Sequence, residues 1–227
     1  TADKTFEGVG NLAMNLSYLP DMPVQINTPD LTTARVLEAN GVPAAAAQGF
    51  ATVPQDTIDY VYGSGNEVTG FQEFDIQRAE VTFTTVIPKL LGAQKTIVST
   101  QIGSEFISDL PDQEDMRFRR HTNFGVGELG EDGYVTDFSW GYQLTLKSTY
   151  ANVIGPVALT PSLTMKHGVE GYSSDDALQE DERSLGMGVG MSYKKLSADL
   201  SYTTYNDASY SVVNDRDYLS LSTTYNF

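Results

Sequence analysis

Apolar and polar residues alternate at period two through much of the chain. From Arg216 to Phe227, Leu219, Leu221, Thr223, Tyr225 and Phe227 share one parity, and Tyr218, Ser220, Ser222, Thr224 and Asn226 share the other. Successive side chains of a strand point to opposite faces, so this spacing predicts a strand with unlike faces. The pattern recurs on reading backward. Residues 194–205 set Leu196, Ala198, Leu200 and Tyr202 against Ser197, Asp199, Ser201 and Thr203. Residues 183–193 set Leu185, Met187, Val189, Met191 and Tyr193 against Ser184, Ser192 and three glycines. Residues 157–168 and 138–150 follow suit, the latter with Phe138, Trp140, Tyr142, Leu144, Leu146 and Tyr150 on one side. The alternation is weaker over 93–103 and clear over 8–18. Over 73–87 the apolar parity changes: Phe74 and Ile76 take one side, Val81, Phe83 and Ile87 the other, which predicts a bulge near Arg78.

Eight antiparallel strands are thus predicted, and the fold class is all-β. A soluble sandwich with one buried face would also alternate. Two features favour a transmembrane β-barrel, whose strands need about 9–11 residues and carry one apolar and one polar face. First, Phe138, Trp140, Tyr150, Tyr193, Tyr202, Tyr225 and Phe227 sit near strand ends on the apolar parity, as an interfacial aromatic girdle does. Second, the polar parity is Gly, Ser and Thr, not the Lys and Glu of a solvated sheet.

The connections alternate in length. Residues 88–92, 152–156 and 194–195 form short turns; 19–72, 104–137, 169–182 and 206–215 are long. Outer-membrane barrels have short periplasmic turns and long external loops. With the last strand ending in the periplasm, every long loop falls outside. In the first long loop, Thr28 as N-cap, Pro29-Asp30 in the first turn and Asn40-Gly41 at the end predict a helix over 29–39. This insertion would either fold into the lumen or stay mobile outside.

Composition narrows the picture. No run of roughly 18 apolar residues exists, so a helical span is excluded. A mean hydropathy of −0.26 says little about a barrel, because polar lumen residues dilute apolar ones. The absence of Cys removes disulfides and thiolate metal sites. A formal net charge of −16 argues against nucleic acid as a partner. No signal peptide precedes the first strand, as expected for a processed chain or for part of a longer precursor. No cofactor or metal is implied. The acids of 169–182 (Glu170, Asp175, Asp176, Glu180, Asp181, Glu182) lack the ligand spacing and turning Gly of a cation loop, so a solvated loop is the simpler expectation. Arg117, Arg119 and Arg120 are expected to pair with neighbouring acids of the loop 104–137, Glu105, Asp109, Asp112, Glu114 and Asp115; anionic headgroups or a substrate carboxylate are the alternative.

Several segments resemble one family of proteobacterial outer-membrane proteins, domain of unknown function 1302. They are the run from Leu16 to Thr28, Asp132-Gly133-Tyr134-Val135-Thr136 with Ser139-Trp140-Gly141-Tyr142, the run His167 to Tyr172, and Asp215 to Ser222. Members are usually more than twice this length, so the resemblance implies the C-terminal part of a larger barrel. It also implies lipid and lipopolysaccharide contacts, a periplasmic lipoprotein-like partner and an inner-membrane transporter, in a system that moves lipid or hydrophobic compounds. The terminal aromatics Tyr225 and Phe227 resemble the signal read by the barrel-assembly machinery.

Three functions follow as expectations. The leading one is a porin-like transport barrel of the Gram-negative outer membrane. Parity assigns Arg78, Glu80, Lys147, Lys166 and Asp199 to its lumen, as a selective constriction or as mutually paired filling. The second is a structural or interaction barrel with no open pore. The third, an outer-membrane lipid hydrolase, would need His167, but no Ser shares its face at the neighbouring positions and no catalytic residue is assigned.

Overall fold

The computed structural model describes residues 1–6, 9–50, 52–65, 67–127 and 132–226. Among these, nine strands form one sheet in sequence order, each antiparallel to the next. They are β1 (Ala2–Phe6), β2 (Gly10–Gln25), β3 (Phe71–Pro88), β4 (Lys95–Ile107), β5 (Phe138–Ile154), β6 (Val157–Glu170), β7 (Arg183–Tyr193), β8 (Leu196–Tyr205) and β9 (Tyr218–Tyr225). The sheet is open, with β1 and β9 as its edges. Among the described residues no helix is long and apolar enough to cross a membrane. A meander places the long connections at one end and the short turns at the other.

The eight expected strands are all present, and β1 is an addition. It is a five-residue edge strand with every residue exposed, and Lys4 interrupts its apolar parity. β2 runs well beyond residue 18, past Pro20 and Pro23, which read in sequence as strand breakers. Between Met14 and Val24 it pairs with β3 alone, so one side of its backbone carries no ladder there and tolerates proline.

The bulge expected near Arg78 is absent. β3 pairs without a shift from Ile76 opposite Ile107 to Pro88 opposite Lys95. The irregularity lies on β2 instead, between Leu19 and Met22 and opposite Ile76 and Phe74. Phe74, Ile76, Arg78 and Glu80 share one face throughout. What changes is the neighbourhood of that face. At the long-loop end, Phe74 and Ile76 are covered by a core of Val24, Ile26, Ile107, Met116, Phe118 and Val135. Phe74 and Phe118 meet edge to face at 5.1 Å between ring centres.

The insertion after β2 holds three helices among the described residues: α1 (Thr28–Ala39), α2 (Ala44–Ala47) and α3 (Gln55–Gly63). Only the first was expected. Its N-cap is Asn27 and not Thr28, which lies inside the helix; Pro29 occupies the first turn and Asn40 closes the end. Ala34, Ala47, Val53, Ile58 and Val61 form a second small core between the helices, and Leu31 touches both cores.

Candidate functional site

One face of the sheet is polar in register across the strands. Asn15 stands opposite Glu80, Glu80 opposite Gly103, and Gly103 opposite Gly141. The next row runs Gln101, Gln143, Lys166 and Ser184. Pairing by alternation puts the apolar residues together on the other face: Met14, Val81, Ile102 and Tyr142 form one row, and Leu144, Met165 and Leu185 another.

A vestibule of about 410 Å³ opens on the polar face beneath residues 171–182, which cross it as a strap. Arg78 lines it, and β3 pairs Arg78 with Glu105 on β4. The Arg78 Nε donates to Glu105 Oε2 at 2.7 Å, and its Nη2 approaches Asp175 Oδ2 at 3.0 Å. Glu105 is only 3% exposed and accepts a further bond from the Ser174 amide at 2.6 Å. Lys166 donates from Nζ to the Ala177 carbonyl at 2.9 Å. Two cations and one carboxylate of the sheet therefore hold the strap by its side chains and backbone.

The strap is shaped by its own short polar side chains. The Ser173 hydroxyl accepts from the Leu178 amide at 2.9 Å, and Asp175 Oδ1 accepts from the Ala177 amide at 3.0 Å. The Gly171 amide donates to Glu180 Oε2 at 2.8 Å. Burial alone would raise the Asp175 pKa, yet the bonds from the Ala177 amide and the Ser173 hydroxyl, with the Arg78 charge, hold it below the usual aspartate value. Asp175, Asp176 and Asp181 are exposed, as a solvated acidic loop would have them, but several of the loop's acids also fasten it to the protein. Asp175, Asp176 and Glu180 each bond protein groups, and Glu182 accepts from the Ser211 hydroxyl. Among the described residues no group of three or more His, Asp or Glu is placed to hold a metal ion.

Of the five charges assigned from parity, Arg78, Glu80 and Lys166 line this vestibule. Lys147 and Asp199 lie on the same face but elsewhere. Lys147 stands opposite Ser162, and Asp199 between Gly190 and Ser222. Sequence reasoning put Glu105 among the acids of the loop 104–137, whereas it lies on β4 opposite Arg78. It continues the polar parity of Gln101 and Gly103 two residues beyond the expected strand, so extending that strand would have found it. Asp175 carries no such signal.

A second cluster caps the long-loop end. Arg117 is fully buried and paired with Asp30, and its guanidinium also donates to the carbonyls of Gly127 at 3.0 Å and Thr52 at 2.8 Å. Arg119 binds Asp176 of the strap. Arg120 lies over the rings of Tyr134 at 4.3 Å and Tyr210 at 5.2 Å. Arg117 and Arg119 pair with acids, but with acids of other segments and not the neighbouring 109–115 run, whereas Arg120 donates to the Asp132 carbonyl at 3.1 Å. Burial pushes the Tyr134 phenol up, while the charges of Arg117 and Arg120 oppose that shift. Burial, then Glu180 and Asp132, also raises the Tyr172 phenol. A cavity of about 470 Å³ lies here, lined by Arg119, Arg120, His121, Tyr172 and Tyr210 among others.

Among the described residues neither histidine ring is hydrogen-bonded to a hydroxyl group. His167 Nε2 accepts from Arg183 Nε at 3.2 Å and its ring meets Tyr142 edge to face. His121 Nδ1 accepts from the Asn123 amide at 3.3 Å. The aromatic residues singled out from sequence divide between the two ends of the apolar face. Phe138, Trp140 and Tyr202 stand toward the long loops; Tyr150, Tyr193 and Tyr225 stand toward the short turns. Phe227 lies outside the described residues.

The sequence pattern of one family, described as "Protein of unknown function (DUF1302)", matches residues 2–227, and the chain belongs to that family. No curated protein matches the chain. No solved structure matches it.

Proposed function

We propose that this member of the DUF1302 family forms part of a β-barrel of the bacterial outer membrane and takes part in envelope transport along its polar face. The observation that carries the reading is the exposure of large apolar side chains in a continuous band. Leu16 is 64% exposed, Leu219 70% and Leu221 68%, each on the face opposite the charges. A soluble sheet buries such a face, whereas a membrane sheet offers it to lipid. Strand length supports the same reading. A crossing takes about 9–11 residues; β3 has 18, so its outer end is left to hold the loop core.

The open sheet has a topological consequence. β1 and β9 run in the same direction, so antiparallel closure takes an odd number of further strands between them. The wider barrel so formed leaves room for the vestibule to be a constriction; a narrow barrel would be filled by its own side chains. Arg78, Glu80 and Lys166 would then meet the passing solute. A lipid or hydrophobic cargo, an inner-membrane transporter and a periplasmic lipoprotein-like partner remain part of this proposal through family resemblance. Tyr225, exposed on the apolar face of the edge strand β9, would serve the barrel-assembly machinery together with Phe227.

A structural barrel without an open pore is the second reading. It is favoured by the strap, which Arg78, Glu105 and Lys166 fasten across the vestibule. Purified protein returned to lipid decides between the two. Transport predicts flotation with vesicles and an ion current across a planar bilayer. Flotation with no current supports the structural barrel, and failure to float overturns the membrane reading.

A further inference from the structure

Charge is divided between the two ends of the sheet. The long connections carry the acidic runs. The described turns at 89–94, 155–156 and 194–195 hold Lys89, Lys194 and Lys195 and no acid. All three lysines are exposed. Lys4 belongs to the same end. It stands on the apolar face, opposite Leu12, and its ammonium lies over the ring of Phe6 at 5.0 Å, one residue before the first turn. Lys194 repeats the arrangement over Tyr193 at 5.3 Å. Tyr193 is on the apolar face too, opposite Leu196 and in line with Tyr225.

We propose that this short-turn rim is a binding surface for anionic phospholipid headgroups. The inference rests on the membrane reading above. An ammonium held over an aromatic ring at the edge of an apolar band is the chemistry of a membrane interface: the stem and ring meet hydrocarbon, and the charge reaches the headgroups. Placement separates lipid from an acidic partner protein. Lys4 lies on the first strand and Lys194 in the turn between β7 and β8, so the cations follow the perimeter and form no single patch. A shell of lipid touches the whole perimeter; a docked protein covers one part of it. The rim favours phosphatidylglycerol or cardiolipin over a zwitterionic lipid, and the acidic loops at the far end repel the same headgroups, which sets the protein's direction in the bilayer.

The test uses the full chain in a detergent containing equal amounts of phosphatidylglycerol and phosphatidylcholine, with bound lipids read by native mass spectrometry. The natural protein retains phosphatidylglycerol preferentially. Neutralising a rim lysine lowers that preference by on the order of fivefold, and raised salt lowers it further. Lys89→Gln with Lys194→Gln is compared with the charge-matched pair Arg35→Gln and Arg216→Gln at the loop end, which leaves the preference unchanged. Equal retention of the two lipids by natural protein that floats with vesicles overturns the proposal. So does binding of poly-glutamate without lipid preference, which would make the rim a protein-docking surface. Failure to float at all overturns the membrane reading beneath it.

Discussion

Arg117 and Asp30 meet in two hydrogen bonds, 2.9 Å from Nε and 2.7 Å from Nη2, with both side chains fully buried. They lie 87 residues apart, and the pair joins the helical insertion to the loop after β4. Removing one partner strands a charge out of water. Arg117→Met and Asp30→Asn are each expected to destabilise the loop cap by about 3–5 kcal/mol. Asp30→Leu combined with Arg117→Met should cost less than the two single losses summed. Hydrogen exchange over residues 108–127 against urea measures all three; equal protection in the natural protein and the single variants would refute the pairing's role.

The strap depends more on Glu105 than on Arg78. Glu105 accepts from both Arg78 and the Ser174 amide, and it is almost completely buried. Glu105→Ala should free residues 171–182, seen as new protease cleavage there and, if the barrel conducts, as a larger single-channel current. Arg78→Ala should have the same direction and a smaller size, because Arg78 is about a third exposed and water screens its ion pairs.

The strap should also respond to acid. Asp175 has a folded pKa below its ordinary value of 3.8. A depressed carboxylate stabilises the fold at pH above its unfolded value and loses that contribution as pH falls through the lower folded value. Docking is therefore expected to hold at neutral and mildly acidic pH and to fail only below about pH 3.8, the usual aspartate value. Following strap exposure by exchange or cleavage against pH tests this. Asp175→Asn should remove the pH step.

Glycines on the polar face differ in what stands above them. A Cβ on Gly168 would come 2.0 Å from the Gln179 carbonyl oxygen, so the strap lies directly on β6 there. A Cβ on Gly103 would meet nothing within 4 Å. Gly168→Ala should displace the strap and lower the temperature at which the folded band is lost on gels. Gly103→Ala should fold as the natural chain does, and Gly103→Phe should narrow the vestibule and reduce current.

The two faces of β9 give the sharpest test of membrane location. Leu221 lies opposite Leu200 on the apolar face, and Ser220 lies opposite Ser201 on the polar one. Leu221→Arg should cost about 2–4 kcal/mol in a bilayer, the usual penalty for a cation facing lipid near its midplane. Ser220→Arg, one residue away, should cost far less. Equal effects in refolding titrations from urea into vesicles would refute the face assignment.

Legibility followed the range of the interactions. The strands, their two faces and the side of each long connection could be read from residue order, because alternation is a local property of extended backbone and each strand displays it alone. Helix 29–39 was legible for the same reason: its proline and terminal glycine act within a turn of where they stand. Phe74 and Ile76 misled the reading because parity reports which residues share a face and not what covers that face. Only the folded loops explain why an otherwise polar face turns apolar at one end.

What residue order determined, then, is a sheet with an apolar side, a polar side, a long-loop end and a short-turn end. What tertiary structure decided is the covering of the polar side. The Arg117–Asp30 pair and the strap across Arg78 and Glu105 join residues from distant segments. Loops carry no period, so the partners of a buried charge there are set by where the strands deliver the chain, a relation that exists only once the sheet has formed.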